Sequence, residues 1–271
     1  MKVACFSVAA MDYFPEQDAF FAGGNSLNQA VRFQRLGWES AFVGAIGTDT
    51  AGDRIEMLLD HWGVDVSRMY RVRGRTASNE IVNDKDGERF GVDGAWDNGV
   101  YDDFVLSEQD WLHISTFEIW STHANGRNYR EALRRKPSSI LLAVDFLHFD
   151  TYELLIDGKD AIDIAYFGGT SDQLEDLIRL SKDFKGIIVL TLGAKGSVAI
   201  YHGETFLQEA LPSQQVLDTT GCGDAFQSGF TAEYFLTKDI KASLLRGAES
   251  GRAAAGHFGG VPWHEDMICG E

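Results

Sequence analysis

Three continuous apolar runs, SILLAVDF (139–146), AIDIAYFGG (161–169) and GIIVLTLG (186–193), limit the fold of this chain more than any other feature. Each has strand length, and none shows the polar alternation of a strand with one wet face. Such runs belong in a parallel sheet that helices cover on both sides. WLHIS (111–115) reads as a further strand of the set.

The N-terminal third supplies the matching helices. SLNQAVRFQRLG carries Leu27, Ala30, Val31 and Leu36 at near-helical spacing and stops at Gly37, and AGDRIEMLLDHWG repeats the pattern through Ile55, Leu58, Leu59 and Trp62 before Gly63. The SAFVGAIG run between them reads as a strand. From Val66 to Gly94 the character changes: YRVRG, TASNEIVN, the turn-like DKDG and ERFGVDG alternate polar and apolar residues, which predicts a small sheet outside the core. SVAIYHGETFLQ predicts a hairpin turning at His202-Gly203, followed by helices over about 223–236 and 240–257. The 271 residues are therefore read as one large α/β domain with a β appendage.

Charge excludes one class of partner. With 24 basic and 41 acidic residues the formal charge is −17, which opposes attraction to a phosphate backbone. Cys5, Cys222 and Cys269 are too scattered for a disulfide framework or a metal cluster, which fits a reducing compartment. The opening MKVACFSVAAM reads as one buried strand rather than a signal peptide, and no apolar run reaches the length of a membrane span. A cytoplasmic protein without a nucleic-acid or membrane partner is expected.

Two glycine-rich junctions carry the chemistry. In DTTGCGDAF, Gly221 and Gly223 permit backbone angles that let successive N–H groups converge on an anion, at the positive end of the helix that follows. A carboxylate there, Asp224, repels a phosphate unless it has a task, and taking a proton from an attacking hydroxyl is one. The same spacing also suits a helix-capping aspartate after a tight turn. In FAGGNSLNQA, Asn25 and Asn28 stand one helical turn apart and suit either a polyol or a capped helix.

Together these stretches resemble the paired signatures of the PfkB, or ribokinase-like, family of carbohydrate kinases, and the resemblance runs from about Ala4 to Trp263. FVGAIGTDTAGDRI, GVDVS and VLTLGAKGSVAI match further features of the family in order. The resemblance implies an α/β three-layer sandwich, with a mainly parallel central sheet and a small β-sheet lid formed mainly by about residues 66–94. It also implies ATP-dependent phosphoryl transfer to a sugar hydroxyl, with Mg²⁺. Under it, Asp224 is the base and Gly221, Cys222 and Gly223 supply the anion hole. Asp12, Gly24 and Asn28 hold the sugar, and Thr191, Gly193, Gly196 and Gly259 line the nucleotide. Asp218 and Thr220 match ligands of a monovalent cation, K⁺, although Asp218 serves equally as a turn stabiliser.

The chain departs from the family at the N-x-x-E motif that organises Mg²⁺ through water. GGTSDQLED has no asparagine, which leaves Glu175 as the candidate and Asp172 as a solvated first-turn acid. P-loop, dinucleotide-binding, H-E-x-x-H and G-x-S-x-G motifs are missing. The opening, the lid and FVLSEQD are most similar to fructoselysine kinases of the family, which implies a fructosamine phosphorylated at its 6-hydroxyl. Glu80, Glu118 or Asp145 would then face the substrate amine. A fructokinase or ribokinase-like enzyme and a non-catalytic binding module are the alternatives. The expected partners are a small-molecule sugar or sugar-amine and a second copy of the chain through the lid.

Overall fold

The computed structural model describes residues 1–213 and 215–262. Cys269 lies outside them.

The apolar runs do form a parallel sheet, but the N-terminal run is split. β1 (Lys2–Cys5) enters the large sheet, whereas β2 (Ala10–Phe14) and β3 (Ala19–Gly23) form a hairpin in a smaller one. The expected single strand breaks over 6–9 because that backbone docks on the next helix, where Ser26 N–H donates to the Val8 carbonyl at 3.2 Å. α1 (Asn25–Arg35) follows β3 directly and ends before Gly37, whose φ of 84° is a left-handed stop. β4 (Glu39–Gly47) and α2 (Thr50–His61) keep the alternation, with Asp49 capping α2 through a bond from Gly52 N–H.

The expected boundary of the small sheet is corrected at β5 (Asp65–Val72), which pairs parallel to β4 at the edge of the large sheet. An edge strand with one wet face alternates as a lid strand does, so pattern alone does not separate them. The small sheet instead orders β3-β2-β6-β7, with β6 (Ala77–Asn83) and β7 (Arg89–Gly91) joined to the early hairpin by parallel β2–β6 pairing. WLHIS is corrected too. It belongs to α3 (Glu108–Ile114), which a Ser107–Asp110 capping box starts, and the strand there is β8 (Ile119–His123).

The remaining elements are α4 (Tyr129–Arg135), β9 (Leu141–Asp145), α5 (Glu153–Gly158), β10 (Ile164–Gly168), α6 (Leu174–Ser181) and β11 (Ile187–Thr191). The hairpin of β12 (Ser197–Tyr201) and β13 (Glu204–Gln208) turns at His202-Gly203 with φ of 50° and 87°. α7 (Cys222–Thr237) and α8 (Ile240–Ala254) come last among the described residues. The large sheet runs β13-β12-β11-β10-β9-β8-β1-β4-β5, with β12 alone reversed and so antiparallel to both of its neighbours.

Alternate residues of the strands feed two cores. Val3 and Cys5 of β1 pack with Leu27, Leu58, Phe230 and Leu244 on the side of α1, α2, α7 and α8. Ala4, one pleat on, packs with Trp111, Ala132, Leu155 and Leu177 on the side of α3 to α6. The result is a three-layer α/β/α sandwich with a second sheet at one end.

Candidate active site

In a parallel sheet the C-terminal strand ends open a crevice that the following loops line. Asp145 ends β9 and Thr191 ends β11 on this edge, and the N-terminus of α7 is tied to it through side chains. Asp224, in the first turn of α7, is held by two amides of α1: Asn25 Nδ2 donates to Oδ1 at 3.0 Å and Asn28 Nδ2 to Oδ2 at 2.7 Å. The helical spacing of the two asparagines thus serves one carboxylate. Neither side chain caps α1, whose N-cap is Gly24.

Asn25 also donates to Asp145 Oδ2 at 2.8 Å and so bridges two acids. Burial pushes the Asp224 carboxyl up to about 7, helped by the charge of Asp145 and opposed by the Asn28 bond and by Arg89 and Arg32. Asp145 is raised as well, chiefly by desolvation. An aspartate poised near neutrality can accept a proton from an alcohol.

The three expected anion-hole residues divide. Cys222 N–H donates to the Thr219 carbonyl at 3.1 Å, which commits it to the turn. Gly221 adopts φ of 73°, and a Cβ there would sit 2.5 Å from the Gly260 carbonyl, so its glycine is a packing requirement. Gly223 is different: a Cβ there would meet no atom within 4 Å. Its N–H, like that of Asp224, belongs to a first helical turn and has no partner inside the helix. The Cys222 thiol is pushed up to about 12, mainly by burial, and stays protonated at neutral pH.

The sugar-side candidates assemble next to this carboxylate. Asp12 on β2 is buried, raised to about 6 by desolvation, and its Oδ2 would lie 2.5 Å from a Cβ at Gly23. Gly24 holds φ of 96°, and a Cβ there would stand 2.8 Å from the Val8 carbonyl. Asn28 Oδ1 is buried beside Gly260 and has no hydrogen-bond partner among the described residues.

The other candidates are placed less evenly. Thr191 is half-buried and donates from Oγ1 to the Phe167 carbonyl at 3.2 Å. Gly193 follows with φ of 58° and open space at its Cβ position. Gly196 has a local reason to be glycine, since a Cβ there would collide with the Gln208 carbonyl. Gly259 packs against Phe21 of the small sheet and donates its N–H to Asp218 Oδ2 at 2.8 Å.

Asp218 is fully buried and also accepts from Asn83 Nδ2 at 2.8 Å, Thr220 N–H at 3.0 Å and Thr220 Oγ1 at 2.7 Å. Three of these donors meet Oδ1 and one meets Oδ2, so this carboxylate holds the turn together. Glu175 lies exposed in the first turn of α6, and no group of three or more His, Cys, Asp and Glu among the described residues is placed to hold a metal. These residues do not form a protein-held Mg²⁺ site, and the ion carries no step below.

Sequence reading missed the bonds of Asn25 to two acids, and it missed the tie between the small sheet and the turn ahead of α7. Thr219 N–H donates to the Gly87 carbonyl at 3.0 Å, Arg89 N–H to Thr219 Oγ1 at 3.0 Å, and Thr219 Oγ1 to Glu88 Oε1 at 3.2 Å. Nothing in the local pattern signals a bond spanning 130 residues. The three acids offered for an amine also separate. Glu118 lies beside Lys2, whose N–H it accepts at 2.6 Å, and Glu80 faces a cavity of 590 Å³ with Tyr13 and Phe20, on the pleat opposite Asp12. Only Asp145 joins the Asp224 cluster.

The description "pfkB family carbohydrate kinase" matches residues 11–152 and 158–265. Fructoselysine 6-kinase of Escherichia coli K12 is 27% identical over 243 residues, covering 88% of this chain and 90% of that one. Fructosamine kinase FrlD of Bacillus subtilis 168 is 25% identical over 265 residues, covering 96% and 92%. Arabidopsis thaliana ribokinase, solved with ribose and ATP, superposes with a TM-score of 0.80 at 21% identity over 95% of this chain and 93% of its own. A double mutant of Vibrio cholerae O395 fructokinase, solved with fructose, ADP and potassium, superposes with a TM-score of 0.75 at 22% identity over 96% and 93%. With a family match spanning most of its length and a ribokinase-like architecture around an amide-held aspartate, the chain belongs to the pfkB family of carbohydrate kinases and is a sugar kinase.

Proposed function

We propose that the chain transfers the γ-phosphoryl group of ATP to the 6-hydroxyl of a fructosamine such as fructoselysine. The supporting observation is the Asp224 site: a carboxylate near neutral pKa, fixed through both oxygens, beside first-turn N–H groups and an open Gly223. Asp224 takes the hydroxyl proton as the oxygen attacks phosphorus, the bond from phosphorus to the β,γ-bridging oxygen breaks, and ADP leaves. N–H groups at the helix start offset charge on the equatorial oxygens. Asp12, Gly24 and Asn28 hold the sugar. Thr191 and Gly193 line the nucleotide side.

The fructosamine part rests on similarity to the two fructosamine kinases. A fructokinase-type substrate is the second reading, favoured by the fold shared with the fructose-bound enzyme. ADP release, coupled to a dehydrogenase and measured with fructoselysine, fructose and ribose, separates them. A kcat/KM for fructoselysine about ten- to a hundredfold above that for fructose is expected from one charge-assisted contact. A preference for fructose or ribose refutes the fructosamine assignment and leaves the kinase intact.

The small sheet serves as the lid over the sugar in this proposal. Its outer face, with Phe20 49% and Phe90 53% exposed, is the proposed contact with a second copy of the chain.

A further inference from the structure

The small sheet presents two different faces, and the one turned toward Asp224 carries a cation that the reaction described above does not use. Cross-strand partners share a face. Asp12 pairs with Phe21 and Asn79, and Asn83 on the same pleat of β6 pairs with Arg89 of β7. The orientation of that pleat is fixed at both ends: Asp12 lies against Gly23, and Asn83 reaches the buried Asp218. Arg89 thus stands on the site side of the lid.

Its backbone is anchored there by the 3.0 Å bond to Thr219 Oγ1, while its guanidinium is exposed and has no ion-pair partner among the described residues. Its positive charge reaches both Asp12 and Asp224, lowering each. Neighbouring arginines are used differently. Arg71 pairs with Asp53 and Glu56, Arg75 pairs with Asp97, and Arg32 donates to the Gly260 carbonyl.

We propose that Arg89 is a specificity-determining residue that binds a carboxylate carried by the appendage of the sugar substrate. This rests on the fructosamine reading. Asp12, Asp145 and Asp224 line the cleft of a chain whose formal charge is −17, so an anionic substituent is repelled unless a cation meets it. A fructose unit joined to an amino acid brings an ammonium, which those acids suit, and a carboxylate, which they oppose. An arginine fork on the lid face supplies the missing complement, and two parallel N–H bonds to a carboxylate give it direction. The transferring phosphoryl group has its own donors at the start of α7.

The test compares fructoselysine with its carboxamide, in which only the carboxylate charge is removed, in wild type, Arg89→Gln and Arg89→Lys. Wild type is expected to favour the carboxylate in kcat/KM by about ten- to a hundredfold, Arg89→Gln to bring that ratio near one, and Arg89→Lys to restore part of it. KM for ATP is read in parallel. Equal use of the two compounds by wild type overturns the inference while the fructosamine reading stands. A ratio that survives in Arg89→Gln, or a loss shared by both compounds together with a raised KM for ATP, also overturns it, the latter assigning Arg89 to the phosphoryl group. If wild type prefers free fructose to both compounds, the fructosamine reading fails and this inference fails with it.

Discussion

Asp224 is useful because its neighbours disagree about its charge. Burial and Asp145 favour the acid, whereas Asn28, Arg89 and Arg32 favour the carboxylate, and the balance falls at about 7. A base must be ionised to accept a proton, so kcat/KM should rise with pH through neutrality, and a flat profile from pH 5.5 to 8.5 would contradict the assignment. Asp145→Asn removes a charge that raises the Asp224 pKa, so the rising limb should move to lower pH; Asn28→Ala removes a bond that lowers it, and the limb should move up. Asp224→Asn should reduce kcat by roughly two to four orders of magnitude with ATP affinity kept. Near-normal turnover would remove Asp224 from the role. Cys222→Ala should keep kcat within about twofold, since the thiol is protonated and the turn uses its N–H.

The decisive element is the junction from β3 into α1, because it aims both asparagines at α7. Gly24 makes that junction with φ of 96° and a carbonyl 2.8 Å from where its Cβ would be. Gly24→Ala should cost ~1–3 kcal/mol of stability, measured by urea unfolding, and lower kcat by displacing Asn25 and Asn28. A stable, fully active variant would show that the turn is not strained. The tie between β7 and Thr219 belongs to this scale too. Thr219→Val deletes the hydroxyl that accepts from Arg89 N–H and donates to Glu88. Amide exchange over residues 83–91 should then accelerate with little change in the large sheet, and unchanged exchange would mean that strand pairing alone holds the hairpin.

At the scale of the whole molecule, a small sheet with Phe20 and Phe90 exposed on its outer face should bury them between copies. Sedimentation is expected to show a dimer that Phe20→Glu dissociates, and a monomeric wild type would end that expectation. The sequence by itself determined what depends on local pattern and local backbone demand. The buried runs that became β9, β10 and β11, the helices ending at Gly37 and Gly63, and the His202-Gly203 hairpin all follow from side-chain period and left-handed angles, which neighbouring residues dictate. The glycines ahead of Asp224 were legible for the same reason. It failed where two environments ask for one pattern: β5 alternates as an edge strand of the large sheet just as a lid strand does, and the apolar WLHIS suits a helix once Ser107 and Asp110 cap it. Only the tertiary structure decided that Asn25 and Asn28 share one carboxylate, that Asp145 is bridged to it, that Asn83 and Gly259 reach Asp218, and that Arg89 stands on the face of the small sheet turned toward Asp224. The hydrogen bonds among them join positions about 40 to 200 residues apart. Hydrogen bonds and charge depend on distance in space, and chain closure fixes that distance where no local pattern records it.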